Sequence, residues 1–278
     1  MSLIWGSTWL FVKIGLEDLP PLTFAGLRFA VGLIPLVLIV IYTRTPIPRD
    51  RASWTLMAGT GFLVFTVTYG LVFWGQQYIS SGLASLLFAT FPLFGMVLAH
   101  GKLPEERMTV LKIVGVLLGM TGVAIIFSDE LAAHGTAGLL GSAAILIAAL
   151  AAAYADVIIK ARGNHLSSIL LTAVQMSVGM ITLLIIGIAI EGNPLSHHWT
   201  ARAVVSVLYL AIVGTSIAFV LLYWLFKHME VTKTMLLTLV TPLIAVMLGV
   251  LILGEGVSWR VAVGGAGILA GLGLVVKS

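Results

Sequence analysis

Two segments decide how this chain folds: WGQQYISSGLASLLFATFPLFGMVLAHGKLPEE at residues 74–106 and WLFKHMEVTKTMLLTLVTPLIAVMLGVLILGEG at residues 224–256. Trp74, Leu86, Leu87, Pro92, Leu93, Leu98, Leu103 and Glu105 recur 150 positions on as Trp224, Leu236, Leu237, Pro242, Leu243, Leu248, Leu253 and Glu255. Leucine coincidences are cheap in so apolar a chain, but Trp, Pro and Glu are scarce. Their ungapped register argues for a duplicated unit, and each copy carries a proline inside a long hydrophobic run.

Around these segments the chain is 60% hydrophobic and 9% charged, far outside the soluble range. Its continuous apolar runs reach the roughly 18 residues that span hydrocarbon, and they do not alternate as barrel strands do. An all-α integral membrane protein follows. With 0 cysteines, disulfides and thiolate metal sites are out of reach. The net charge of +4 is scattered over short loops, so no nucleic-acid partner is indicated. Residues 1–16 lack a basic n-region and a cleavage site. They read as a first membrane helix and not a signal peptide, a short one, as in a chain that begins slightly inside a longer one.

Breaks such as Glu17-Asp18-Leu19-Pro20-Pro21 and Glu191-Gly192-Asn193-Pro194 divide the apolar runs into ten expected transmembrane helices. They fall near 2–17, 22–42, 54–75, 80–100, 108–127, 137–160, 167–190, 202–226, 232–253 and 258–276. Alternating these spans with the N-terminus inside puts eleven of the 15 Lys and Arg on the cytoplasmic side and leaves Lys13, Arg28, Arg202 and Arg260 outside. Both termini are therefore expected on the cytoplasmic side of the membrane. A repeat of five helices, an odd number, turns its second copy over. The expected architecture is two inverted five-helix repeats, residues 1–127 and 137–278, with a substrate site between them near the midplane. Gly115 and Gly122 match Gly264 and Gly271 at an offset of 149. Gly115-x-x-x-Gly119 and Gly267-x-x-x-Gly271 are expected to hold each repeat together by close packing.

Pro92 and Pro242, read as helix-interior residues, each leave a carbonyl four residues back underused, at Phe88 and Thr238. They are candidate hinges or kinks flanking a cavity. Deep aromatics are candidate lining: Trp5 and Trp9 four apart on one face, Tyr69 and Phe73, Tyr154, and Tyr223. Interfacial anchoring is the competing reading for such rings. Ser7, Thr238 and Thr241 are candidate polar contacts, although most membrane Ser and Thr bond their own backbone. Gln175, a mid-helix carboxamide with four bonding sites, is costly to leave dry and is assigned to the cavity. Asp156 is the acid clearly inside a span. It either pairs with Lys160 one turn on or acts as a protonatable coupling residue. Lys13 and Arg28 are expected to snorkel from helix ends. No catalytic fingerprint and no helical His-Glu metal set occurs, so neither an enzyme nor a cofactor is expected.

Trp5-Gly6-Ser7 with Lys13, the small-rich helix ending in Lys160, and the Pro92/Glu105 and Pro242/Glu255 pairs resemble the drug/metabolite transporter superfamily. Within it the chain is similar to EamA-type proteins, and to the YddG-like amino-acid exporters of bacterial inner membranes. The resemblance covers essentially the whole chain. It implies ten helices, a central cavity and efflux of amino acids or related metabolites by alternating access. An apolar, aromatic lining with hydroxyls, Gln175 and few charges narrows the expected substrates to small neutral or aromatic amino acids and related metabolites. Asp156 stands where Trp9 stands at an offset of 147, so the halves differ in charge. The expected partners are a small-molecule substrate and the lipid bilayer, with a monomer sufficient. A broader drug, nucleoside or sugar exporter is the alternative within transport, and a membrane scaffold or receptor is the alternative outside it.

Overall fold

A computed structural model describes residues 1–102, 109–228 and 231–276. Side chains at 127, 129–134, 223, 226–228, 231–240, 275 and 276 lie outside the description. The described elements are helical. They are α1 (Ser2–Gly15), α2 (Pro21–Tyr42), α3 (Arg51–Gly61), α4 (Tyr69–Gly75), α5 (Ser81–Phe88), α6 (Phe91–Lys102), α7 (Val110–Arg162), α8 (Ser168–Glu191), α9 (Ala201–Ala211), α10 (Ala218–His228), α11 (Val231–Leu253) and α12 (Trp259–Val276). Six helical stretches in the described residues are long and apolar enough to cross a membrane, and Val110–Ile126, Thr241–Leu253 and Trp259–Leu274 are shorter apolar helices.

Three departures from the sequence reading have local causes. The expected break at 128–136 is mostly helical, and α7 runs on until Gly135 at φ 62°, ψ −147°. Helix formers fill the stretch, and only glycine enters that backbone region without strain. The proline pair is not equivalent. Pro92 is the second residue of α6, because the chain has already left α5 at Ala89. There the Thr90 hydroxyl donates to the Leu87 carbonyl at 2.7 Å, competing with the helix ladder. Pro242 lies inside the unbroken α11, where the residue matching Thr90 is Val240, which has no hydroxyl. So Pro92 opens a helix and is not the interior kink expected of it.

The third departure is a pair of π-helical turns, π1 at Phe62–Thr68 and π2 at Ile212–Ile217, again 150 residues apart at their starts. Each runs straight on into the next α-helix. Hydroxyls support the wide turn by reaching five residues back. Thr68 Oγ1 donates to Leu63 O at 3.0 Å, Thr215 Oγ1 to Leu210 O at 2.8 Å and Ser216 Oγ to Ala211 O at 2.9 Å. Such insertions recur at functional sites, and hydropathy gives no sign of them.

Close backbone approaches hold the bundle together. A Cβ on Gly61 would stand 2.7 Å from Gln175 Cα, and one on Gly264 2.6 Å from the Gly122 carbonyl oxygen. The glycine seam thus joins the first part of α7 to α12. It binds the last helices of the two expected repeats to each other, not each repeat to itself.

Charged residues seal the helix ends. Pro21 has no N–H to leave bare, and Glu191 accepts from the next two amides, Leu22 N at 2.9 Å and Thr23 N at 2.7 Å. Glu255 does the same for α5, accepting from Ser81 N at 2.7 Å, Ser81 Oγ at 2.8 Å and Gly82 N at 3.2 Å. A carboxylate at a helix N-terminus satisfies orphan donors and the helix dipole together. Lys13 does not snorkel. Its ammonium donates to the Gln76 and Ile79 carbonyls at 2.8 and 2.9 Å, just past the C-terminal end of α4.

Candidate functional site

A cavity lies where the middles of seven of these helical runs meet. Its volume is about 130 Å³, against the roughly 10–15 Å³ that one water needs on the same measure. From α1 come Trp5, Thr8 and Trp9, all on one helical stripe. The run of π1 and α4 contributes Thr68, Tyr69 and Phe73, and α10 contributes Phe219. The broken helix contributes Ser85 and Phe88 before the break and Phe91 and Pro92 after it. From α11 come Thr241 and Pro242. The rings pack mainly tilted or edge to face: Trp5 on Phe219 at 6.2 Å, Trp9 on Phe88 at 5.5 Å and Tyr69 on Phe29 at 5.1 Å between centroids. Such geometry fixes large rigid surfaces at little entropic cost.

Two charges enter this aromatic enclosure. Arg28 is 2% exposed. It donates from Nε to Thr215 Oγ1 at 2.6 Å and from Nη2 to the Gly214 carbonyl at 3.2 Å. Both acceptors belong to π2, whose wide turn presents them to the guanidinium. The Tyr69 ring centroid lies 4.8 Å from its central carbon, within cation–π range. Arg28 therefore does not snorkel. It stands seven residues into α2, about 10 Å along the axis, and that depth was the available signal for a buried role. Asp156, from α7, faces the same cavity half-buried. Among the described residues its carboxylate has no hydrogen bond or ion pair, so the expected partnership with Lys160 is not formed. Ser85 adds a second unmet demand. It is 2% exposed, lines the cavity, and its hydroxyl has no partner among the described residues.

The structure thus brings together Trp5, Trp9, Tyr69, Phe73, Thr241, Pro92, Pro242 and Asp156. Three other candidates lie elsewhere. The Ser7 hydroxyl meets Tyr209 Oη at 2.6 Å and bonds its own helix. Gln175 is fully buried between α8 and α3, where its Nε2 donates to Thr60 Oγ1 at 2.8 Å. Its carboxamide is satisfied by a neighbouring helix and not by a cavity. Tyr154 is 39% exposed and turned away, with the Lys102 ammonium 5.2 Å from its ring centroid. The side chains of Tyr223 and Thr238 lie outside the described residues. Arg28, Thr8, Thr68, Ser85 and Phe219 were not picked from the sequence, because isolated Ser, Thr and Phe in a span carry no facing information. Among the described residues no group of three or more His, Asp or Glu side chains could hold a metal ion.

The profile of the EamA-like transporter family matches residues 1–128 and 139–277. The uncharacterized transporter YoaV of Bacillus subtilis is 31% identical, with 98% of this chain and 92% of YoaV covered. The uncharacterized inner membrane transporter YedA of Escherichia coli K12 is 28% identical over 93% and 82%, and the protein PagO of Salmonella typhimurium is 25% identical over 93% and 84%. A solved crystal structure, 18% identical, superposes with a TM-score of 0.72 over 99% of this chain and 94% of that one, which shows a shared fold. This chain belongs to the EamA-like transporter family of the drug/metabolite transporter superfamily. It is a multi-pass membrane protein of a transporter family.

Proposed function

We propose that the protein is a secondary transporter that exports small neutral or aromatic amino acids by alternating access through the central cavity. The observation that carries this reading is the combination of one cation, one carboxylate and an aromatic lining in a single enclosure. A zwitterion with an apolar side chain complements all three. The guanidinium of Arg28, with two of its nitrogens already bonded, keeps N–H donors for a carboxylate. The Asp156 carboxylate, without a partner among the described residues, suits an ammonium, and the rings of Trp5, Trp9, Tyr69 and Phe73 suit the apolar side chain. Phosphorylated solutes fit poorly, since Arg28 is the sole cation among the described lining residues.

Alternating access in this reading is the rocking of two inverted five-helix halves, residues 1–127 and 137–278, with both termini in the cytoplasm of a bacterial inner membrane. The paired profile matches, the π-helical turns in register and the eleven-to-four charge bias support it. Pro92 and Pro242 both border the cavity, where a helix start and a helix-interior proline are sites of bending. Asp156 is proposed as the coupling residue.

Counterflow in proteoliposomes tests the assignment. A panel of neutral and aromatic amino acids, sugars, nucleosides and phosphorylated sugars is offered against the wild type and Trp5→Ala. Neutral amino acids are expected to exchange fastest and Trp5→Ala to slow them with the fold intact. Wild-type flux from Trp5→Ala removes the cavity assignment, preference for sugars or nucleosides moves the substrate class, and absence of flux for every solute returns the scaffold reading.

A further inference from the structure

A second cavity of about 730 Å³ lies between α3, the end of α6, the last turns of α7 and the segment after it. Among the described residues Arg51, Lys102, Arg162 and His165 line it, with Asp50 as the one carboxylate. That carboxylate is already committed, accepting from Ser53 N at 2.7 Å as the N-cap of α3. His165 Nε2 is held by Ser53 Oγ at 3.0 Å. Among the described residues no carboxylate lies within ion-pair distance of Arg51, Lys102 or Arg162. Three lasting positive charges therefore share one cavity with a single carboxylate, and none of the three is ion-paired among the described residues. A topological charge bias accounts for basic residues along this edge, but not for their convergence.

The rest of the wall mixes the hydroxyls of Thr55, Thr60 and Tyr154 with apolar side chains. Leu56 and Leu63 line it from one side and Ile158 from the other. Between the leucines Gly59 leaves an open slot, with no atom within 4 Å of where its Cβ would stand. Along α7, Tyr154, Ile158 and Arg162 follow one stripe at four-residue spacing. Ala152 and Asp156, which face the central cavity, lie about 200° round the helix from Tyr154. The second cavity is thus on the opposite side of α7 from the proposed transport site.

A cationic mouth above a hydrocarbon-lined slot fits one ligand chemistry: a phosphate carrying an acyl chain. We propose that this cavity binds an anionic phospholipid, with its phosphate among Arg51, Lys102 and Arg162 and an acyl chain along Leu56, Gly59 and Leu63. Basic pockets between membrane helices hold such headgroups. The assignment is independent of which solute the central cavity carries.

Lipid retention by the purified full chain, read by native mass spectrometry, tests it. The probes are phosphatidylglycerol and phosphatidylcholine of matched chains, with inorganic phosphate as a soluble competitor. Wild type is expected to retain phosphatidylglycerol at least about tenfold better, since each nearby Lys or Arg favours anionic lipid by roughly fivefold. The triple variant R51Q/K102Q/R162Q is expected to lose the preference. Gly59→Leu is expected to weaken phosphatidylglycerol retention with every charge in place, and it introduces a better helix former into open space. Circular dichroism establishes that both variants are folded. Equal retention of the two lipids by wild type overturns the proposal, as does a folded triple variant with unchanged preference. Displacement by equimolar inorganic phosphate, or wild-type retention by Gly59→Leu, makes the site one for a soluble anion and overturns the lipid assignment.

Discussion

Three glycines along α12 offer one substitution in three environments. A Cβ on Gly264 would stand 2.6 Å from the carbonyl oxygen of Gly122 and 2.7 Å from Ile126 Cγ1; on Gly267 its nearest atom is Gly122 Cα at 3.4 Å; on Gly273 nothing lies within 4 Å. Replacement by Ala brings the same helix-propensity gain at each, up to about 1 kcal/mol, so differences among the three report packing alone. Carbon and carbonyl oxygen settle at about 3.3 Å or more, so Gly264→Ala requires α12 and α7 to separate locally by roughly 0.7 Å. A gap of that size forfeits between a quarter and a half of each dispersion contact along the seam, and overpacking of this kind costs about 1–3 kcal/mol. Gly264→Ala is therefore expected to be about 1–3 kcal/mol less stable than Gly273→Ala, with Gly267→Ala close to the latter. Thermal unfolding in detergent reads this as a spread of roughly 2–12 °C. Equal melting temperatures for Gly264→Ala and Gly273→Ala would refute the claim that backbone contact at this seam holds the two helices.

Other expectations follow from single contacts. Lys13→Met removes an ammonium that satisfies two carbonyls beyond α4 and is expected to destabilise by about 1.5–3 kcal/mol; a melting temperature equal to wild type refutes the cap. Asp156→Asn keeps the shape of the cavity and removes its carboxylate. If Asp156 couples protons, flux in loaded vesicles loses its response to an imposed pH gradient while exchange persists, and an unchanged response takes Asp156 out of the mechanism. The Ser53 amide holds the Asp50 carboxyl below the ordinary aspartate value of 3.8. A lowered folded-state value contributes stability that is fully present above the unfolded value and lost as pH falls through the folded one. Asp50→Asn, still a competent cap, is expected to flatten the acid limb of a stability–pH profile below about pH 4, and an unaltered acid limb contradicts the cap's titration.

How far the sequence reaches differs from feature to feature. The helical runs were legible because hydropathy and breaker residues act locally, and α2 at Pro21–Tyr42 and α8 at Ser168–Glu191 lie within a residue or so of their expected spans. Trp5 and Trp9 were legible as one stripe because a four-residue spacing places two side chains on one face of any helix. Facing was not legible. A helix in lipid is apolar all round, so no hydrophobic stripe marks its inner side. Gln175 and Ser7 were assigned to the cavity because a polar group needs a partner. Thr60 and Tyr209, more than a hundred residues away in the chain, are those partners.

By itself, then, the sequence determined that the chain is helical and membrane-embedded, since both follow from composition and local period. Only the tertiary structure decided what the charges do. Arg28 reads as a cation near a helix end until π2 is seen to offer it Thr215 and Gly214. Asp156 reads as half of an ion pair until its carboxylate is found facing the cavity without Lys160. A buried charge depends on the groups that meet it across helix interfaces, and those meetings are set by how the bundle closes.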